Sequence, residues 1–201
     1  SLFLYLFRFC HFVPICLSTG GFFNLSNKSV LTLFKAILAM AIRVFTTGGT
    51  FDKEYDALTG NLVLRGTYVP KLLERSRCKV PYVVTPLMKM DSLDLKTEHR
   101  VTILEACRKA EETRIVITHG TDTMIETVQL LADVVKDKTI VLTGAFVPHE
   151  FKNSDSSFNL GIAIAFVQVL PPGVYIAMNG TIFFWDKVKK NKETGVFEAL
   201  P

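Results

Sequence analysis

Two short apolar runs constrain this chain more than any other feature. Arg114–Thr118 reads RIVIT and Thr139–Thr143 reads TIVLT. A strand with one wet face alternates apolar and polar residues, whereas an unbroken aliphatic run is expected of a strand covered on both faces, as in parallel sheets. Between the runs, Met124, Val128, Leu131 and Val135 recur at i, i+4, i+7 and i+11, which predicts a helix over Thr121–Lys136. Buried strand, helix, buried strand is a right-handed βαβ crossover. The alternation extends both ways. Ile42–Thr46, Val80–Thr85 and Val174–Ala177 read as strands. Val69–Arg77, with Pro70 in its first turn, and Ser156–Leu170, stopped by Pro171-Pro172-Gly173, read as helices. Thr97–Glu112 reads as a helix with Val101, Leu104 and Cys107 on one side, residues 51–68 as a glycine-punctuated hairpin, and the end of the chain as a polar, lysine-rich tail. The expected fold class is α/β, a mostly parallel sheet flanked by helices.

Open α/β sheets bind ligands beyond the carboxyl ends of their strands. The segments that follow the strands are therefore the candidates: Thr47-Gly48-Gly49-Thr50, the stretch PLMKMDSLD with Asp91 and Ser92, His119-Gly120-Thr121-Asp122-Thr123, Gly144-Ala145, and Met178-Asn179-Gly180 with Lys189 and Lys190 beyond it. The TGGT stretch lacks GxGxxG leading into a helix, and it lacks GK[ST], so a phosphate-binding reading has little support. A plain turn explains its glycines but not its threonines. In HGTDT, Gly120 permits a tight turn and puts Thr121 and Asp122 at a helix N-terminus. One of them would suffice as a cap; two hydroxyls and a carboxylate leave room for a site as well. His119 reads as a structural strand-end residue. Asp91-Ser92 is either a cap for the next helix or part of the site, and Lys189-Lys190 either solvated surface or part of it.

Charge narrows the partners. The 201 residues carry a formal net charge of +4, of which Arg8, Lys28 and Lys35 supply +3 within an acid-free residues 1–39. The remainder is nearly balanced, with no basic face of the kind nucleic acid requires. Residues 1–39 also hold Cys10 and Cys16 and seven of the 16 phenylalanines, and the first Met is Met40. Arg8, His11 and Pro14 interrupt the first apolar stretch, a poor pattern for a signal peptide or a membrane span. Residues 1–39 are read as an atypical extension and 40–201 as the domain. The four cysteines, Cys10, Cys16, Cys78 and Cys107, form no CxxC pair and read as free thiols of a reducing, cytoplasmic compartment.

Taken in order, TTGGTFD, KMDSLD, ITHGTDTMIET, VLTGAF…NSDSSFNL and AMNGTI…VKKN resemble the L-asparaginase family of threonine amidohydrolases, over Met40 to about Asn191. TGGT together with HGTDT after a buried strand is the specific part of the match. The resemblance implies a three-layer, Rossmann-like or flavodoxin-like domain of the asparaginase N-terminal type, without a cofactor or metal, acting on L-asparagine as a cytoplasmic homodimer. It makes Thr50 the nucleophile, Thr121 and Asp122 the second catalytic threonine and its neighbouring acid, and Lys190 the lysine that hydrogen-bonds Thr121. Tyr55 matches the loop tyrosine, at a shorter spacing than is usual. Asp91 and Ser92 match the pair that binds the α-amino and α-carboxylate groups, and Gly49 and Gly120 lie beside the expected oxyanion. The family's second, smaller domain would follow Pro201, so the chain reads as the N-terminal catalytic domain alone, as in short single-domain members. The usual Arg-Pro after GAM is replaced by Phe146-Val147-Pro148.

The chemistry fits these residue types. A threonine hydroxyl is a weak nucleophile that needs an activating neighbour. Each oxyanion donor contributes about 3 kcal/mol. Thr50 is the expected attacking residue, although the residues alone do not separate it from Thr121. Two other readings stand beside hydrolysis of asparagine: an aspartate- or asparagine-binding homologue without turnover, and an amidase for a larger substrate such as an aminoacyl-tRNA amide.

Overall fold

The computed structural model describes residues 41–200. The reading of residues 1–39 as an extension, with Cys10 and Cys16, lies outside them. The strands are β1 (Ile42–Gly48), β2 (Lys53–Asp56), β3 (Asn61–Leu64), β4 (Tyr82–Met90), β5 (Arg114–Thr118), β6 (Thr139–Thr143), β7 (Gly173–Met178), β8 (Thr181–Phe184), β9 (Val188–Lys190) and β10 (Phe197–Ala199). The helices are α1 (Val69–Arg75), α2 (Thr97–Lys109), α3 (Met124–Val134) and α4 (Ser156–Phe166). The main sheet runs β4-β1-β5-β6-β7-β8, parallel throughout except for the antiparallel β7–β8 pair.

The unbroken aliphatic runs cover both faces of this sheet. Ile115 and Ile117 join Ile103, Leu104, Met124, Val128 and Leu131 in one core, while Val116, between them, joins Ile42, Leu72, Leu160 and Ala163 in the other. Helices α2 and α3 therefore cover one face and α1 and α4 the opposite one, as the expected three-layer class requires. Each fully buried aliphatic contributes about 1.5–3 kcal/mol.

Several boundaries differ from expectation. Strand β4 continues past Thr85 through Pro86 to Met90. It is an edge strand, so the N–H that proline lacks falls where no second neighbour needs it. Helix α2 buries Ile103, Leu104 and Cys107 and leaves Val101 exposed; it stops at Lys109, and Glu112 instead receives two hydrogen bonds from Arg43, at 3.0 and 2.8 Å. Helix α4 ends at Phe166. The tail is not a solvated polar segment. It returns through a two-residue hairpin turn at Asn179-Gly180, both with positive φ (53° and 79°), the backbone that tight hairpin turns demand. It then forms the β9–β10 pair, with Val188 and Phe197 in the core. Residues 51–68 form the expected hairpin, β2 paired antiparallel with β3.

Candidate active site

Three loops at the carboxyl edge of the sheet meet with almost no space between them, and glycine makes this possible. A Cβ on Gly49 would lie 2.5 Å from the backbone nitrogen of Gly120, and a Cβ on Gly120 would lie 2.5 Å from Ser92 Cβ and Oγ. The β1 turn thus rests on the β5 loop, and the β5 loop on the β4 loop. Gly48 and Gly49 have φ of +97° and +69°, a backbone region that glycine enters without steric penalty. Two threonine hydroxyls tie the same loops together. Thr47 Oγ1 donates to Thr118 O at 3.0 Å, and Thr123 Oγ1 donates to Ser92 O at 2.7 Å.

Thr50 opens a 3-10 turn (Thr50–Asp52) directly after the glycines. It is half-buried, and its hydroxyl is not hydrogen-bonded to any described residue. Asp52, two residues on, is almost wholly buried. Its Oδ1 accepts from Thr67 Oγ1 at 3.1 Å and from the Tyr68 N–H at 3.0 Å, so it pins the returning end of the β2–β3 hairpin to the Thr50 turn. Burial pushes this carboxyl up to about 6, the two hydrogen bonds notwithstanding.

Thr121 and Asp122 do not begin helix α3, which starts at Met124 behind Thr123. Their polar groups are engaged across the chain instead. Lys190 Nζ donates to Thr121 Oγ1 at 2.9 Å and to Asp122 Oδ1 at 2.6 Å, and its ammonium stands 5.0 Å from the centre of the Phe146 ring. Thr121 is buried, and the Lys190 side chain is only 14% exposed, whereas Lys189 stays at the surface beside Glu198. Of the lysine pair, one is therefore solvated surface and the other belongs to the cluster. His119 is fully buried, with Nε2 2.9 Å from Thr127 Oγ1 and Nδ1 2.7 Å from Gly120 O. Burial lowers it to about 4, so it is a neutral structural residue at neutral pH, as expected.

Asp91 caps a short 3-10 turn (Ser92–Asp94) by accepting from the Leu93 N–H at 3.1 Å, and its other oxygen receives Lys53 Nζ at 2.5 Å. Burial raises the Asp91 carboxyl, but the Lys53 bond, the Leu93 and Ser92 N–H groups and the lysine charge outweigh it, leaving Asp91 below the ordinary carboxylate value. Ser92 Oγ is buried without a hydrogen-bond partner. Tyr55 stands on β2, 52% exposed. Its backbone N–H is held by Glu150, and no hydrogen bond links its hydroxyl to Thr50, Thr121 or Lys190. The Gly49 N–H is committed to Met90 O at 2.8 Å, which removes it from the expected oxyanion donors.

Lys53 and Phe146 received no role from the sequence. A lysine in a polar hairpin and a phenylalanine in a loop carry no spacing signal; only their partners distinguish them. Among the described residues no group of three or more His, Cys, Asp or Glu has the arrangement to hold a metal ion, and no helix is long and apolar enough to cross a membrane.

Residues 41–199 match the family described as "Asparaginase, N-terminal". The L-asparaginase of Thermococcus kodakarensis is 32% identical over 162 residues, 78% of this chain and 49% of that one. A subunit of the glutamyl-tRNA(Gln) amidotransferase of Methanococcus vannielii is 31% identical over 153 residues, 70% of this chain and 34% of that one. The solved structure of the thermostable L-asparaginase from T. kodakarensis superposes with a TM-score of 0.72 at 30% identity, covering 80% of this chain and 51% of that one. The chain spans about half the length of these asparaginases, and less of the amidotransferase chain.

Proposed function

The chain belongs to the asparaginase N-terminal family, and from that premise we propose that it hydrolyses the side-chain amide of L-asparagine to aspartate and ammonia through a threonine nucleophile. The observation that carries this reading is the Lys190 cluster: one ammonium bonded at once to Thr121 and to Asp122, in a loop packed against the turn that presents Thr50.

In this mechanism Thr50 Oγ attacks the amide carbon and forms a tetrahedral oxyanion. The Thr50 hydroxyl proton passes to Thr121 Oγ1 while the Thr121 hydroxyl proton passes to the amide nitrogen, which departs as ammonia; the Lys190 ammonium stays protonated and orients Thr121 for this relay. The resulting acyl-threonine ester is cleaved by water with the same proton path in reverse, releasing aspartate. Asp122 fixes the lysine and balances its charge, and Phe146 supports the ammonium through its ring face. With the Gly49 N–H already used, the Thr50 N–H and the Gly120–Thr121 backbone are the oxyanion donors of this scheme. Asp91 and Ser92 hold the α-substituents, and Tyr55 reaches Thr50 only if the β2–β3 hairpin shifts inward.

The test is ammonia release from L-asparagine by the wild type, Thr50→Ala and Thr121→Ala. Loss of at least about a hundredfold in both variants is expected. Equal rates in all three proteins overturn the reading. A second reading draws on the similarity to the amidotransferase: the same amide cleavage serving an aminoacyl-tRNA. Inhibition of ammonia release by tRNA at low salt would favour it, and the nearly balanced charge of the domain speaks against it.

A further inference from the structure

Lys53 has no part in the scheme above, yet its ion pair with Asp91 lies within the loop cluster that presents Thr50. Lys53 follows the 3-10 turn that Thr50 opens, and its N–H donates to Thr50 O. Its ammonium meets Asp91 Oδ2 at 2.5 Å, with the two side chains 23% and 26% exposed. The two partners are not equally fixed. Asp91 is held from its other side by the Leu93 N–H, while Lys53 stands at the root of a hairpin whose residues are largely exposed. The lysine is therefore the member that can withdraw.

An α-amino acid offers an ammonium and a carboxylate on one carbon. Asp91 takes the first; for the second, the Ser92 hydroxyl supplies a hydrogen bond but no opposite charge, which only a cation brings. The other basic residues of these loops are occupied elsewhere: Lys190 by Asp122 and Thr121, Arg65 by Glu54 and Asp56, and Lys89 by Arg65 O. We propose that Lys53 and Asp91 form a zwitterion clamp, in which Lys53 binds the substrate's α-carboxylate, Asp91 its α-ammonium, and the incoming pair of charges replaces their bond to each other. A part-exposed ion pair contributes little net stability, so little is lost in exchanging it. Both ions keep an opposite charge throughout, which avoids leaving either one unpaired. The clamp selects α-amino acids over simple amides. It also couples substrate arrival to movement of the hairpin that begins three residues after Thr50.

The inference deepens the asparagine reading and rests on it for the identity of the site. Its test does not depend on turnover. Binding is measured by calorimetry on the full chain with three probes: L-aspartate, β-alanine (aspartate without its α-carboxylate) and succinate (aspartate without its amino group). Lys53→Met is expected to weaken aspartate and succinate by about tenfold or more, the loss of a charge-assisted hydrogen bond, and to leave β-alanine within about twofold. Asp91→Asn is expected to weaken aspartate and β-alanine and to spare succinate, and Lys53→Arg to retain most of the affinity for all three. A Lys53→Met protein that weakens all three probes equally, or none, overturns the clamp, as does a wild type that binds none of them. Ammonia release from asparagine is followed in parallel. A wild type that shows the binding pattern without turnover overturns the hydrolase reading and leaves the clamp standing, whereas turnover without the pattern overturns the clamp alone.

Discussion

Asp52→Asn should make the domain more stable at pH 8 and slightly less stable at pH 4. Asp52 is 1% exposed, and both of its hydrogen bonds, from Thr67 and from Tyr68, go to Oδ1. An asparagine keeps that acceptor and the same shape. The wild-type carboxyl is raised from 3.8 to about 6 in the fold. The folded protein therefore binds more protons than the unfolded chain between these values. The stability that Asp52 contributes is fully present below 3.8 and is lost as pH rises through about 6. When the group is ionised at pH 8, the cost is about 3 kcal/mol. Asparagine avoids it, but its buried amide N–H groups cost about 1 kcal/mol each if they find no partner. The expected difference between variant and wild type thus changes by about 2–3 kcal/mol between pH 4 and pH 8, in favour of the variant. Urea denaturation of both proteins across that range measures it. The wild-type profile alone would mislead, because His119 carries the opposite sign in the same window. Its pKa is lowered from 6.5 to about 4, so its contribution is lost as pH falls. Subtracting the two proteins removes His119. A difference that stays flat from pH 4 to 8 refutes the account of Asp52.

Three further outcomes follow from the geometry. Lys190→Met removes both polar contacts of the cluster and should lower kcat for ammonia release by about 10²–10⁴ with little change in KM, as steady-state kinetics would show. Gly120→Ala drives a Cβ to 2.5 Å from Ser92 and should destabilise by about 1–3 kcal/mol, whereas Gly66→Ala, with nothing within 4 Å, should be neutral or gain up to about 1 kcal/mol; paired thermal melts make the comparison. Arg43→Met leaves Glu112 fully buried without the cation that meets it at 2.8 Å and should cost about 3 kcal/mol in urea denaturation.

What was legible in the sequence was local. RIVIT and TIVLT are strands over the residues that their composition marks, because an aliphatic run has no wet face to offer and must lie inside a covered sheet. The stripe at Met124, Val128, Leu131 and Val135 is buried throughout, since a period near 3.6 survives any packing partner. The loop residues at the carboxyl edge were equally legible, because strands that run parallel all end at the same edge of the sheet. What the sequence left open was which polar groups bond to which. Thr121 and Asp122 have the composition of a helix cap, and only the return of β9 shows that Lys190, 69 residues from Thr121, takes them instead. Val101 fits the helical period of α2 as well as Ile103 does; the neighbour helix decides that Ile103 is inside. Lys53 and Asp91, 38 residues apart, become partners because β1 pairs with β4 up to Gly48 opposite Met90, which lays the turn leading to Lys53 beside the loop that carries Asp91. Periodicity is a property of consecutive residues and is written along the chain. The pairing of distant charges depends on loop closure and on the space that missing Cβ atoms leave, and the tertiary structure alone decides it.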